Sequence, residues 1–373
     1  MMYRDRVSSW GIKKKHIITL MLFAIVALFH PFIANDKYIA AVADDGFELF
    51  ASPTEDTKGI RTLIPYSDKS IDKNNRSVGP FDKQNVSSYY YRHWLGTDDI
   101  GRDVLAGIIY GTAVAFKVGV TTTIFVLIIG ILIGFLSGYL GDYTIRLSLS
   151  ALIILSTVSA LSIFYWYYSV GYIRWVFLLL PLLLLMGYIK FNNSNIRDGI
   201  AIPFDIIILR IIEIINSIPG MFLLLVLLAF FSTPSIWNVV LVISFLRWPI
   251  ITRHLRAEIL KLKNEDFIVS AKAGGLSHFT IFTKYILPLA ISPIIILSAF
   301  GFANAILLES SLSFLGIGIP LDQVSWGSLL RDARLNISSW WLAVFPGAMI
   351  YISIILFNSI GDAMTDKLQK VNK

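Results

Sequence analysis

The sequence predicts an all-α polytopic membrane protein, and three observations carry that expectation. Of 373 residues, 55% are hydrophobic and only 15% charged, with a mean hydropathy of +0.69. A soluble domain of this length needs more charge to cover its surface. Several apolar runs approach or exceed the ~18–20 residues that cross a bilayer as helix. The runs are continuous, whereas a membrane β-barrel alternates apolar and polar positions. Eight spans are expected, at about 17–34, 113–140, 145–168, 173–190, 205–232, 235–251, 288–310 and 340–361.

The first run follows Lys13, Lys14, Lys15 and His16 and lacks a small-residue cleavage site, so it reads as an uncleaved span. Arg4, Arg6 and the three lysines face one acid, Asp5, which places the N-terminus in the cytoplasm. Residues 1–34 thus form the N-terminus and first span, and 35–92 an extracytoplasmic segment rich in Asp and Glu. From His93 the sequence HWLGTDDIGRDVLAGIIYGTAVAFKVG leads into the second span, with glycines punctuating short helical stretches. Gly130, Gly134 and Gly138 recur every four residues, a stripe that lets helix backbones approach closely. Arg210 and Glu213, three apart on one span, are expected to form a structural intramembrane pair. Glu309 admits two readings: it faces the solute pathway, or it holds local backbone near Ser310 and Ser311. An even number of spans returns the C-terminal tail, 363–373 with Lys367, Lys370 and Lys373, to the cytoplasm.

One stretch breaks the apolar pattern. Asn264 to Pro288 reads NEDFIVSAKAGGLSHFTIFTKYILP and falls on the cytoplasmic side, where Arg253, Arg256, Lys261, Lys263, Lys272 and Lys284 gather. It predicts two short amphipathic helices around an elbow at Gly274-Gly275. Asp266 serves the first helix as cap or dipole partner, and Ser277 caps the second. Phe267, Ile268 and Ala271 share one face, as do Leu276, Phe279, Phe282 and Ile286. A bend is expected before Pro288, because the residue preceding proline is pushed out of α geometry. These helices are too polar for the membrane and too apolar on one face for water, so the face needs cover. This protein's own helix ends, the headgroup layer or an outside partner would each supply it.

Other chemistries find little support. The net charge of +7 lies largely beside the spans, where it sets orientation, and no nucleic-acid partner is expected. There is no cysteine, hence no disulfide or thiolate. No G-x-x-x-x-G-K-[ST] loop is present, and His16, His30, His93, His254 and His278 lack metal-ligand spacing. No cofactor, metal or catalytic set is expected in this chain.

The loop resembles the EAA loop of bacterial ABC-importer permeases. Val269-Ser270-Ala271 stands where that family has Glu-Ala-Ala, Gly275 follows at the family's spacing, and Ile286-Leu287-Pro288 matches its end. LGTDDIGRDVLAGIIYG (95–111), LLESSLSFLGIG (307–318), SWGSLLRDAR (325–334), WLAVFPG (341–347) and FNSIGDAMTDKL (357–368) are similar, in order, to blocks of the second permease subunit of dipeptide/oligopeptide/nickel importers. The resemblance implies a type I permease fold with six core transmembrane helices, built from 93–142 and 204–362; where that family has a short cytoplasmic turn this chain has 143–203, which reads as an inserted two-helix hairpin. It implies a multi-pass protein of the cell inner membrane that forms half of a translocation pathway. The implied partners are a homologous permease subunit, two ABC ATPase subunits that bind ATP and Mg, and an extracytoplasmic solute-binding protein. It further implies that the coupling loop, 253–287, docks an ATPase through Asp266, Phe267, Ala271, Gly274, Gly275 and Leu276. Peptides lead as solutes, with nickel chelates or glutathione-like compounds as alternatives. A secondary transporter or membrane scaffold without ATPase partners is the competing class; it calls for repeated broken helices with intramembrane ionisable groups, of which few are present.

Overall fold

Asp103 starts the second apolar span. Its Oδ1 accepts the Ala106 backbone N–H at 2.7 Å, satisfying one of the donors that a helix N-terminus leaves unpaired. The second span therefore begins nine residues before the expected 113 and runs from Val104 to Leu140. A computed structural model describes residues 14–43, 46–52, 58–141, 146–147, 149–168, 181, 200–201, 203–320 and 322–371. The helices are α1 (Lys14–Ile33), α2 (Val104–Gly134, continued by a π-helical turn Phe135–Leu140), α3 (Leu149–Tyr168), α4 (Phe204–Ser217), α5 (Gly220–Ala229), α6 (Ile236–Leu262), α7 (Asp266–Ala273), α8 (His278–Ile281, continued by a π-helical turn Phe282–Ile286), α9 (Leu287–Phe314), α10 (Trp326–Leu335) and α11 (Trp341–Val371).

Among the described residues five helical runs are long and apolar enough to cross a membrane, or six if α4 and α5 count as one broken span. The expected 173–190 span lies outside the described residues, and α3 covers most of the expected 145–168 span. The continuous span expected at 205–232 is interrupted between Ser217 and Gly220. Pro219 precedes α5 with non-helical backbone and has no N–H to give, and the residue before a proline disfavours α geometry. The bend expected before Pro288 is absent: Leu287 has helical backbone angles (φ −57°, ψ −43°). The π-helical turn Phe282–Ile286 shifts the hydrogen-bond pattern just where the proline lacks a donor. Helix α6 also outruns its expected end at 251, reaching Leu262.

The chain divides into two compact units, Met1–Gly130 with Ile218–Ile251 and Leu289–Lys373, and Ile131–Ser217 with Thr252–Pro288. In the first, Phe23, Phe302, Ile306, Trp326, Leu356 and Phe357 build the main apolar core. Close backbone approach makes small residues obligatory there. A Cβ on Gly327 would sit 2.3 Å from the Ser310 carbonyl oxygen, and one on Gly111 would sit 2.5 Å from the Trp326 ring. The segment after α1, which sequence alone leaves as either a lobe or an irregular loop, is an ordered lobe. It begins with an antiparallel sheet in the order β2-β1-β3, from Tyr38–Ala43 (β1), Gly46–Ala51 (β2) and Lys58–Arg61 (β3). Coil held by side-chain hydrogen bonds, with a 3-10 turn at Tyr89–Tyr91, follows as far as α2.

In the second unit, Gly134 and Gly138 of the small-residue stripe meet Leu255, Arg256 and Ile259 of α6, with a built Cβ 2.9 Å from Leu255 and 3.1 Å from the Arg256 Cα. A short antiparallel pair, Arg146–Leu147 (β4) with Ile200–Ala201 (β5), brings together the two ends of the 148–199 stretch.

Candidate functional site

The elbow begins where α6 ends. Helix α7 opens at Asp266, whose charge in the first turn complements the helix dipole, and carries Lys272 in its last turn. The N-cap position itself is Glu265, and its side chain makes no cap hydrogen bond. At the other end, the Gly275 N–H donates to the Lys272 carbonyl at 3.0 Å and the Leu276 N–H to the Ala271 carbonyl at 3.3 Å. This pair of bonds is a Schellman motif, which requires a left-handed residue after the cap. Gly275 supplies it with φ +75°, whereas Gly274 sits at φ −72°. The two glycines therefore differ: only Gly275 is demanded by backbone geometry. Ser277 then accepts from the Thr280 N–H and opens α8, as its sequence position predicts.

The apolar residues of the elbow divide between two faces. Ile268, Ile281 and Ile286 are fully buried and Phe282 nearly so. Phe282 packs against Phe135 (ring centroids 4.5 Å), which stacks on Tyr139. The Tyr139 hydroxyl lies 3.2 Å from His278 Nδ1, and Lys272 Nζ stands over its ring. Phe267, Leu276 and Phe279 point outward, Phe279 with 69% of its surface exposed, and Ala271 is half-buried. Thus Ile268 parts from Phe267, and Phe282 and Ile286 from Leu276 and Phe279, though sequence periodicity grouped them. One face is seated; the other is left as an apolar ridge.

An ion pair braces the same unit. Arg256 donates from Nε and Nη2 to the two Asp205 oxygens, each at 2.5 Å, and Ser137 donates to Oδ1 at 2.5 Å. This bidentate clamp ties the start of α4 to α6 and to the π-helical turn after α2. Sequence reading missed it, although an acid in the first turn of an apolar helix was a signal. Arg210 and Glu213 also meet, at 2.6 Å, with both side chains more than half exposed.

In the first unit the segment 93–103 is organised by its acids. Asp98 Oδ1 accepts the N–H groups of Ile100, Gly101 and Arg102 at 2.8–3.0 Å, and its Oδ2 accepts Arg102 Nε at 2.6 Å. Arg102 also reaches Asp332 of α10 at 3.4 Å. Gly101 has φ +96°, and a Cβ there would lie 2.1 Å from the Asp72 carbonyl. His93, fully buried, lies between Asp103 (2.9 Å) and Asp72 (3.3 Å) and stacks on Tyr66. Burial opposes its charge, but the hydrogen bonds and fields of Asp103 and Asp72 outweigh it, so its pKa is raised above the ordinary histidine value. A raised folded value means that this stabilisation is complete below about pH 6.5 and is lost as pH rises through the folded pKa. Amides of 93–104 are therefore expected to be more protected from hydrogen exchange at pH 6 than at pH 8.5, after correction for intrinsic rates. His93→Gln flattens that difference; equal protection in the wild-type protein across this range refutes the imidazolium bridge.

Glu309 lies in α9 with 1% of its surface exposed. Ser313 donates to its Oε1 at 2.7 Å and Ser310 to its Oε2 at 3.3 Å. The carboxylate thus sits in a knot of serines beside the close contact of Gly327 with Ser310.

Apolar spans interrupted by a polar, glycine-hinged elbow with an exposed apolar ridge define a multi-span membrane protein. Residues 201–370 match the family of binding-protein-dependent transport system inner membrane components. The dipeptide transport system permease protein DppC of Alkalihalophilus pseudofirmus is 30% identical over 74% of this chain and 71% of its own length. A peptide permease protein of Brucella suis is 28% identical over 81% of this chain and 78% of its own. The chain belongs to the ABC-importer permease family of the dipeptide/oligopeptide type. The inward-facing MetNI methionine ABC transporter, a solved structure, aligns with 65% of this chain and 93% of its own at 14% identity and a TM-score of 0.36. Subunits of this family are multi-pass inner-membrane proteins and not themselves enzymes; ATP hydrolysis resides in separate ATPase subunits. Importers of the family combine a partner permease, ATPase subunits and a binding protein.

Proposed function

We propose that this chain is one of two homologous permease subunits of an importer for di- and oligopeptides, and that it receives ATP-driven motion through Asp266 to Leu276. The observation that carries this reading is the divided elbow: Ile268, Ile281 and Phe282 anchor it, while Phe267, Leu276 and Phe279 present an apolar ridge to a partner. An anchor and a ridge on one rigid hinge transmit displacement, because force applied to the exposed side moves the seated side. Asp266, Ala271, Gly274 and Gly275 shape the hinge rather than supply chemistry. ATP and Mg belong to the two ATPase partners, and an extracytoplasmic binding protein delivers the solute. Both termini and the elbow lie in the cytoplasm, in keeping with the Lys and Arg bias.

Arg210–Glu213 and the Glu309 serine knot are read as structural: the first is a neighbouring pair on one helix and the second has its acceptors occupied by local hydroxyls. The 143–203 stretch is read as a peripheral insertion, since its ends meet in the β4–β5 pair. The names of the relatives favour peptides as cargo. The test is reconstitution of the complete complex with its binding protein in liposomes. Accumulation of defined di- and oligopeptides that requires ATP is expected; accumulation without ATP, or none for any peptide, rejects the reading.

A further inference from the structure

Within the first unit, α2, α6 and α9 line a partly open cavity of about 190 Å³. Most of its lining is apolar, but Thr122, Thr123, Arg247, Ser298 and Asn304 also face it. Thr122 and Ser298 lie near the middles of their apolar runs, and Arg247 lies in the apolar part of α6, four residues before its expected end at 251. The hydroxyls of Thr123 and Ser298 are committed to their own helices, bonding Gly119 and Ile294 carbonyls. The other three groups are not. The Thr122 hydroxyl is buried with no hydrogen-bond partner among the described residues. Among the same residues no carboxylate pairs with Arg247, and neither its guanidinium nor the Asn304 amide makes a side-chain hydrogen bond.

An arginine within a span is costly and persists where it faces the bundle interior or a cavity that brings a partner. Three idle donors around one space call for an acceptor with several lone pairs. A carboxylate has that number, and its two oxygens match the guanidinium fork. The space has room for a carboxylate and the residue bearing it. We propose that Arg247, Thr122 and Asn304 form a subsite for the C-terminal carboxylate of the solute as it crosses the membrane body, with Arg247 as the ion-pairing group. This rests on the peptide-importer reading and adds to it a determinant of solute class that lies inside the permease, apart from selection by the binding protein.

The test compares ATP-dependent uptake of trialanine and trialanine amide by the reconstituted complex, each at a concentration that saturates the binding protein. The wild-type complex is expected to prefer the free acid. Arg247→Gln lowers uptake of the acid at least tenfold and leaves uptake of the amide nearly unchanged, abolishing the preference. Arg247→Lys retains part of it, and Thr122→Val, which keeps the charge, lowers acid uptake two- to fivefold. Equal loss for both peptides, or loss of the assembled complex in both Arg247→Lys and Thr122→Val, assigns Arg247 a structural partner and overturns the subsite. Equal transport of both peptides by wild type and variants overturns it as well, while leaving the importer reading intact. If the wild-type complex moves neither peptide, the importer reading fails and the subsite falls with it.

Discussion

Phe267→Ser combined with Phe279→Ser is expected to weaken binding of the ATPase subunits about 100- to 1,000-fold while the chain stays in the membrane. Both rings are exposed on the outer face of the elbow, 42% and 69%, and neither helps to seat it. Aromatic side chains that become fully desolvated at the centre of an interface contribute about 2 kcal/mol or more on truncation, near 30-fold in affinity each. The two values need not add, hence the range. Titration of purified ATPase onto the permease pair in nanodiscs measures the change, and deletion of 264–285 provides the limiting case. Unaltered ATPase affinity in the double variant removes the ridge from the coupling surface. Ile268→Ala supplies the contrast. It empties a fully buried position, and cavity formation at such a site costs about 2–5 kcal/mol. Its defect is expected as loosened elbow structure, seen by hydrogen exchange across α7, as well as weaker docking.

Asp98→Ala is expected to unfasten the segment between the sheet lobe and α2. The carboxylate is 1% exposed and accepts three backbone N–H groups and the Arg102 guanidinium. Removing it leaves a half-buried guanidinium and three amide donors short of an acceptor. Breaking a buried pair of this kind costs about 3–5 kcal/mol. Rapid proteolysis within 72–103 and a lowered melting temperature of the purified complex are the expected readouts. Asp98→Asn, which keeps the Oδ1 acceptor but not the charge, is expected to lose less than half as much. Wild-type protease resistance in the alanine variant shows that the Asp98 bonds are dispensable.

These two sites were legible to different degrees. The elbow could be read because its signals are local. A polar interval between apolar runs, a glycine pair and a serine three residues before the backbone N–H it caps all act within one or two helical turns. Yet which apolar residues face out was not fixed by periodicity, since two helices of eight and four residues are too short to define a stripe. LGTDDIGRD was recognisable as a motif, but the task of each residue was not. Asp72 joins His93 from 21 positions away, and Asp332 joins Arg102 from 230. The break at Pro219 was masked by unbroken hydropathy across 205–232, which reports transfer free energy and is blind to a missing N–H.

By itself the sequence determined that the chain is a multi-span membrane protein and where a polar hinge interrupts its apolar runs. Those properties follow from transfer energies and backbone preferences summed over neighbouring residues. Only the tertiary structure decided that Arg256 clamps Asp205, that Glu309 is enclosed by serines and that Arg247 shares a cavity with Thr122 and Asn304. Such pairings depend on helix rotation and on residues far apart in the chain, and no local energy term specifies either.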